Sequence, residues 1–362
     1  MRTGTVNLPL HTGKCPKWLF PRMKKLSGVI SEMIVDEYGS EEFIRRLSNP
    51  YFFQALSCVI GFDWHSSGTT TTTCGALKES INSLNLGITI AGGKGAASRK
   101  TPSEIENSQL SISTQKLEKL KYASKITAKV DTSLVQDSYN LYHHVFIFTE
   151  KGRYAVIQQG MNDHYARRYH WLSDNVGSYI EEPHEGICCD KKQDNVLDMT
   201  SKKSRENKSI CLDIVKDNPK HLERYIKKPP QMTLDSFSEK APEITFNPRH
   251  DIIDMKKINI QTLQKAYEIQ PENYEQLLSV KGVGPKTIRS LAMIADIVHG
   301  KPASWKDPVK YSFAHGGKDC IPYPVDKKLM DNNTQILRDA VRKAKLGKKD
   351  RLYALKRLTN FY

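Results

Sequence analysis

The stretch from Leu277 to Gly300 constrains the fold of this chain more than any other part of the sequence. It reads LLSVKGVGPKTIRSLAMIADIVHG, which is an apolar helix end, a glycine turn and a second apolar helix. Gly282 and Gly284 permit backbone angles that other residues avoid, and Pro285 suits the first turn of a helix, where a missing N–H costs nothing. The pattern predicts two helices joined by a tight hairpin.

The second helix of this hairpin carries apolar residues at helical spacing, which predicts the face that packs inside the protein. These residues are Ile288, Leu291, Ala292, Ala295 and Val298. Free N–H groups at the turn and helix start would face outward and form an anion site. We therefore expect Gly282, Val283, Gly284 and Thr287 to bind phosphate without sequence preference. The alternative is a tight turn between helices with no ligand.

Charge and composition narrow the class of partner. The 362 residues carry a formal net charge of +15, which favours a polyanion such as double-stranded DNA. No apolar run approaches the roughly 20 residues that span a bilayer, and the N-terminus lacks the apolar core of a signal peptide. We expect a cytoplasmic protein with no membrane partner. Its seven cysteines include no CxxC pair, so we expect reduced thiols and no zinc site.

The pattern along the chain predicts an α+β protein. Residues 1–185 read as a mixed α/β module with an antiparallel hairpin sheet, 186–230 as a charged surface excursion with a connecting helix, and 231–362 as an all-helical domain. The clearest hairpin is HHVFIFTEKGRYAVIQQGM, two β-rich runs around the turn EKGR. The alternating ITAKVD predicts a further strand, and FDWHSSGTTTTTCG a loop or strand before a helix that starts near Gly75.

A glycine-rich basic loop precedes a helix start in GGKGAASRKTPSEI. Thr101 would cap the helix and Glu104 would complete a capping box. Lys94 and Arg99 are candidate DNA-binding residues here, since the loop can bind phosphate. The alternative is a flexible basic loop; the spacing is not that of a nucleotide triphosphate site.

Aromatic and basic residues alternate in YARRYHW, a pattern suited to stacking on bases and binding backbone phosphate. Arg167 and Arg168 are the candidate phosphate contacts, and Tyr169 and Trp171 the candidate base contacts. At the end of the preceding strand, Gln158 and Gln159 would recognise the edge of a base. The alternative is a sheet edge with half-buried aromatic residues.

The N-terminal half also offers ligands for a metal-dependent nuclease. The candidates are Asp63, His65, Asp131, Asp137, His143 and His144. Lys129 and Asp131 are expected on a strand, but no two residues show a diagnostic metal spacing. His143 and His144 are neighbours on a strand and would point to opposite faces. No metal is therefore assigned.

The hairpin is similar to that of the endonuclease-III-like superfamily of helix-hairpin-helix DNA glycosylases. The resemblance implies that Lys286 is the nucleophile of a bifunctional member and that Asp326, in IPYPVDKKLM, is the essential carboxylate. Forty residues separate the two, more than in most of the superfamily. The four-cysteine cluster of endonuclease III is absent, so no iron–sulfur centre is expected. Lys286 as a phosphate contact and Asp326 as a helix cap are the open alternatives.

The insertion between these residues contains HGGKD, a glycine loop that would lie against the substrate strand. We expect Gly316, Gly317 and Lys318 to bind DNA and His315 to contact the base; a plain surface turn is as good an interpretation. No cofactor is expected, apart from the option of a monovalent cation at the hairpin.

Several N-terminal stretches, among them FDWHSSGTTTTT and YARRYHW, resemble an uncharacterised family of thermophilic archaea and bacteria over nearly the whole chain. That likeness implies no mechanism. The leading hypothesis is a DNA repair glycosylase with AP lyase activity on hypoxanthine or an oxidised purine. The alternatives are a DNA-binding protein without chemistry and a metal-dependent DNA endonuclease.

Overall fold

The structure is a computed structural model. It describes residues 15–62, 67–163, 165–189, 192–219 and 260–309, together with the single positions 328, 331, 334 and 335. His315, Gly316, Gly317, Lys318 and Asp326 lie outside the described residues, as do Asp63 and His65.

Helices fill most of the described chain. They are α1 (Leu19–Tyr38), α2 (Ser40–Ser48), α3 (Pro50–Val59), α4 (Gly68–Leu84), α5 (Ala96–Arg99), α6 (Thr101–Glu106), α7 (Thr114–Ser133), α8 (Arg205–Lys216), α9 (Ile260–Ile269), α10 (Tyr274–Ser279) and α11 (Pro285–His299). The strands are β1 (Ile88–Lys94), β2 (Val135–Gln136), β3 (Asn140–Thr149), β4 (Tyr154–Met161), β5 (Ala166–Leu172), β6 (Gly186–Cys188) and β7 (Leu197–Asp198).

An antiparallel sheet of five strands in the order β1-β3-β4-β5-β6 lies at the centre, and β2 pairs with β7 apart from it. The predicted hairpin is confirmed as β3 and β4, with Gly152 at a φ of +89° in the turn between them. YARRYHWL continues the sheet as β5. The α+β class with an antiparallel sheet is confirmed.

Helices cover both faces of the sheet, so each face has its own hydrophobic core. One core joins α1–α4 to residues such as Val145 and Ile157. The other joins α7, α8 and α9–α11 to Phe146 and Trp171. Side chains of a strand point alternately to the two faces of a sheet, and here both faces are covered. Residues pointing either way are therefore buried, so β4 and β5 contain almost no exposed position.

Three local predictions are wrong. The threonine run that was expected as loop or strand forms the start of α4, where Thr69, Thr70 and Thr73 are buried. ITAKVD lies inside α7, so Lys129 and Asp131 are helical. The predicted capping box does not form: Thr101 donates to the Ser98 carbonyl, and Glu104 accepts from the Gly92 N–H at 2.8 Å.

The segment after residue 185 is more than a surface excursion. Its described part supplies β6 to the sheet and α8 to the second core, and Met199 is fully buried. Helices α9–α11 pack in the same core as Phe146, so the described part of residues 231–362 does not have a core separate from the sheet. The predicted domain boundaries stay a prediction.

Candidate nucleic-acid interface

Helices α10 and α11 flank the predicted glycine turn. The side chain of Asn273 caps α10 by accepting from the Gln276 N–H at 2.9 Å, and Gly300 ends α11 in the left-handed region. Gly282 has a φ of +101°, and a Cβ there would lie 2.7 Å from the hydroxyl of Thr262. The turn therefore requires glycine both for its backbone angle and for its contact with α9.

The first turn of α11 is open toward solvent. Gly284 is its N-cap residue and supplies no side-chain cap, and Pro285 follows. The N–H groups of Lys286 and Thr287 therefore have no acceptor within the helix. Lys286 is exposed, whereas Thr287 is buried. A helix start of this kind, with a lysine beside it, has the geometry of an anion site.

Helix α7 and strand β2 each donate a hydrogen bond to the turn region. The ammonium of Lys129 donates to the Val280 carbonyl at 3.0 Å, and the Gln136 amide donates to the Pro285 carbonyl at 2.8 Å. Burial lowers the pKa of Lys129. The Val280 carbonyl oxygen already accepts a hydrogen bond from the positively charged Lys129 ammonium. A monovalent cation bound at the turn would share that oxygen with Lys129.

Arg167 and Arg168 do not face solvent, which corrects the expectation that they are free to bind phosphate. Arg167 forms ion pairs with Asp137 at 2.8 Å and Asp307 at 2.7 Å. Arg168 donates to the Gln54 side chain at 3.0 Å, on the other face of the sheet. Both are almost wholly buried. A contact with DNA would require either guanidinium to leave these partners.

The proposed base-contact residues in β4 and β5 are also buried, and each forms a hydrogen bond within the protein. Tyr169 donates to Asp137 at 2.6 Å, and Trp171 to Asp131 at 3.0 Å. Gln159 donates to the Ser67 carbonyl at 2.7 Å. These side chains are fully buried, so they do not present a stacking surface in this structure.

Asp131 is the centre of a buried hydrogen-bond network. Its carboxylate accepts from Gln158 at 2.6 Å and from Trp171, and it contacts the ring nitrogen of His184. Gln158 in turn bonds His144 at 2.9 Å. Sequence reasoning missed His184 and Asp307, because no local motif surrounds either residue and only the tertiary fold brings them to their partners.

The four described candidates for a nuclease metal, Asp131, Asp137, His143 and His144, do not form a metal site. Protein donors occupy Asp131 and Asp137, and His143 and His144 do face opposite sides of the sheet, since only His144 reaches Ser124 on α7. Burial lowers the pKa of His143 to about 3, and neither ring nitrogen has a hydrogen-bond partner. Across the described ranges, no cluster of three His, Cys, Asp or Glu side chains could hold a metal ion.

A cavity of about 330 Å³ brings two of the predicted residues together. It lies between α5, α6, α7 and β3, and Arg99 and Gln158 both line it. The ammonium of Lys94, at the end of β1, lies 5.7 Å from the ring centre of Tyr142, which also lines the cavity. The glycine loop and the end of β4 therefore meet, although neither the spacing nor the motifs indicated this.

The fold and the site define an α+β protein with an exposed glycine turn and a basic cavity. Its sequence matches the family described as "Protein of unknown function (DUF763)" over residues 4–325, and the chain belongs to that family. The expected family membership over nearly the whole chain is thus confirmed. No curated protein and no solved structure matches the chain. Among the described helices, none is long and apolar enough to cross a membrane.

Proposed function

We propose that this protein is a DNA repair glycosylase with AP lyase activity, and that α10, the turn and α11 form a helix-hairpin-helix that binds the DNA backbone. The observation that carries the proposal is the exposed Lys286 in the uncapped first turn of α11, four residues after Gly282, whose φ of +101° favours glycine. A phosphate bound at this turn would bring the adjacent sugar within reach of the lysine amine.

Lys286 would attack the anomeric carbon of the sugar, and the damaged base would leave with the electrons of the N-glycosidic bond. The amine passes a proton to the departing base, and the sugar ring then opens: the C1′–O4′ bond breaks, O4′ takes up a proton, and the C1′–N bond becomes a protonated Schiff base. Removal of a proton from the neighbouring sugar carbon breaks the bond to the 3′ phosphate oxygen and nicks the strand. Asp326 would stabilise the developing positive charge and accept the proton.

The rest of the expected interface belongs to the same proposal. His315, Gly316, Gly317 and Lys318 would contact the substrate strand from the insertion between the two catalytic residues. Hypoxanthine or an oxidised purine in DNA is the proposed substrate. The proposal also includes that the protein is cytoplasmic and that its family occurs in thermophilic archaea and bacteria.

The first test is borohydride trapping on duplexes that contain each lesion. The wild-type chain should form a covalent adduct, and Lys286→Arg should not. A guanidinium keeps the positive charge, but it stays protonated at neutral pH and is therefore not a nucleophile. Lys265→Ala, which removes an exposed lysine from α9, should leave the adduct unchanged.

DNA affinity separates chemistry from simple binding. Lys286→Arg should bind the duplex within about twofold of wild type, since one phosphate contact is preserved. If the wild-type chain binds the lesion duplexes but forms no adduct on any of them, the protein is a DNA-binding protein without lyase chemistry. If Lys286→Arg traps as well as wild type, the nucleophile is another residue.

A further inference from the structure

The cavity between α5, α6, α7 and β3 has the size of a small-ligand site. At about 330 Å³ it falls at the lower end of the range of about 300–1,000 Å³ found for ligand pockets. Gly92 on β1 allows both α6 and β3 to approach closely beside the cavity: a Cβ on Gly92 would lie 2.6 Å from the Thr101 hydroxyl and 2.2 Å from the His144 carbonyl oxygen. The cavity is therefore a built feature of the fold.

The charged side chains that line the cavity are all positive. Arg99 on α5 and Lys125 on α7 are exposed at its wall, and no Asp or Glu is among its described lining residues. Neither has an ion-pair partner in the described part of the chain. Lys121, one turn before Lys125, is by contrast paired with Glu118 at 2.9 Å. Two unpaired cations beside a concave surface attract an anion.

The inner wall of the cavity is polar and held in a fixed orientation. The hydroxyl of Ser124 bonds His144 at 2.9 Å, His144 bonds Gln158 at 2.9 Å, and Gln158 donates to Asp131 at 2.6 Å. Because Asp131 accepts from the Gln158 amide nitrogen, the Gln158 oxygen is directed at His144. Such a wall is preorganised, so it loses little side-chain entropy when a ligand binds.

An aromatic ring completes the lining. Tyr142 is partly buried, and its hydroxyl is fixed by the Gln159 amide at 2.5 Å. A phosphate alone would need only the two cations, and it would leave most of 330 Å³ unfilled. A ligand with a phosphate, a polar sugar and a flat ring matches the cations, the hydroxyl-bearing wall and the tyrosine together.

We propose that this cavity binds a nucleoside phosphate, with Arg99 and Lys125 at the phosphate and Tyr142 beside the base. Helix α7 places the cavity next to the glycine turn: Ala128 lines the cavity, and the following residue, Lys129, donates to the turn. The ligand is therefore either a free mononucleotide or, in the case that rests on the proposed function, a nucleotide everted from DNA docked at the turn.

The test uses the full chain and two double variants of equal charge change. Arg99→Glu with Lys125→Glu reverses both cavity cations, and Lys116→Glu with Lys119→Glu reverses two exposed lysines on the outer part of α7. Thermal unfolding confirms that both variants fold. Calorimetry with each deoxynucleoside 5′-monophosphate, and with inorganic phosphate, measures the free ligand. Fluorescence of 2-aminopurine opposite a mismatch in a duplex measures an everted base.

The cavity variant should lose at least tenfold in one of the two assays, while the control variant stays within about twofold. Loss of mononucleotide binding alone identifies a free ligand, and loss of the 2-aminopurine signal alone identifies an everted nucleotide. The proposal is overturned if neither assay distinguishes the two variants, or if inorganic phosphate binds the wild type as tightly as every mononucleotide. Lys286→Arg tests the lyase independently, because it changes borohydride trapping and leaves both cavity assays unaffected.

Discussion

Gly92 shows how much a single residue determines in this protein. Its φ is +94°, and a Cβ at this position would lie 2.2 Å from the carbonyl oxygen of His144 in β3. The neighbouring strand would have to move to admit any side chain. The sequence GGKG predicted a glycine-rich loop here, but not that Gly92 lies in β1 and meets the neighbouring strand.

Gly92→Ala should therefore lower the free energy of unfolding by about 3 kcal/mol, from backbone strain and overpacking combined. Urea unfolding measures the change. Gly177→Ala is the matched control, since nothing lies within 4 Å of a Cβ at Gly177, and it should change stability by less than about 0.5 kcal/mol. Equal effects at both positions would contradict the close approach of β1 to β3.

His143 is a buried residue that should make the stability of the fold depend on pH. Burial, with His144 and Lys94 as smaller causes, lowers the pKa of its ring to about 3. An unfolded chain binds a proton at this histidine near pH 6.5, and the folded chain does not until about pH 3. The folded state therefore loses stability as pH falls between these values.

His143→Phe should remove this contribution. Between pH 6 and 4, the free energy of unfolding of the wild type should fall more steeply than that of the variant, by about 1.4 kcal/mol per pH unit. Urea unfolding at several pH values gives both slopes. Parallel slopes would mean that the imidazole of His143 is charged or exposed in the folded chain.

At the scale of elements, α7 connects the two features of functional interest. Lys125 and Ala128 line the cavity, whereas Lys129 reaches the Val280 carbonyl of the glycine turn. The six alternating residues of ITAKVD match a period of two and by themselves predict a strand. The longer helical spacing of Leu120, Ala123 and Val130, all buried, decides the element.

Lys129→Met should loosen the glycine turn, because it removes the ammonium from the Val280 carbonyl. Hydrogen exchange of the amides in 280–284 should become faster, and DNA affinity should fall by about 1.5 kcal/mol, the lower end of the net value of one hydrogen bond to a charged group. Lys119→Met, on the exposed face of the same helix, is the control.

The same variant tests the option of a monovalent cation. If K⁺ can take the place of the ammonium, K⁺ at constant ionic strength should restore the affinity of Lys129→Met more than a bulky organic cation does. Unchanged exchange in 280–284 would show that the turn does not depend on Lys129.

At the scale of the whole molecule, the turn is part of the second core of the sheet. Leu277 and Ile288 on either side of the turn are buried in the same cluster as Trp171. Ser304, beyond α11, pairs with Asp198 in β7. A boundary near residue 230, as the composition predicted, would separate residues that pack together here.

Leu277→Ala should lower the free energy of unfolding of the whole chain by about 2–5 kcal/mol, because it leaves a cavity in the shared core. Far-ultraviolet circular dichroism and tryptophan fluorescence should report one coincident transition. Ile269→Ala, at a position that is 59% exposed, should have little effect. A variant that shifts only one of two separate transitions would support the predicted domain boundary instead.

The sequence alone determined the features that depend on neighbouring residues. The hairpin of β3 and β4 follows from two β-rich runs around EKGR. The turn between α10 and α11 follows from its glycines, since the backbone angle at Gly282 favours that residue. Local pattern is sufficient there, because the interactions that define a turn lie within a few residues.

Only the tertiary structure decided which polar residues are available. Arg167, Arg168 and Trp171 have the composition of a nucleic-acid surface, but all three are buried. Trp171 contacts α7, Arg168 contacts α3, and Arg167 contacts Asp137 and Asp307 outside the helices. Their partners, Asp307 and Gln54 among them, are more than a hundred residues away in sequence. Burial is set by what packs against a strand from elsewhere in the chain, and a pattern read along one strand does not contain that information.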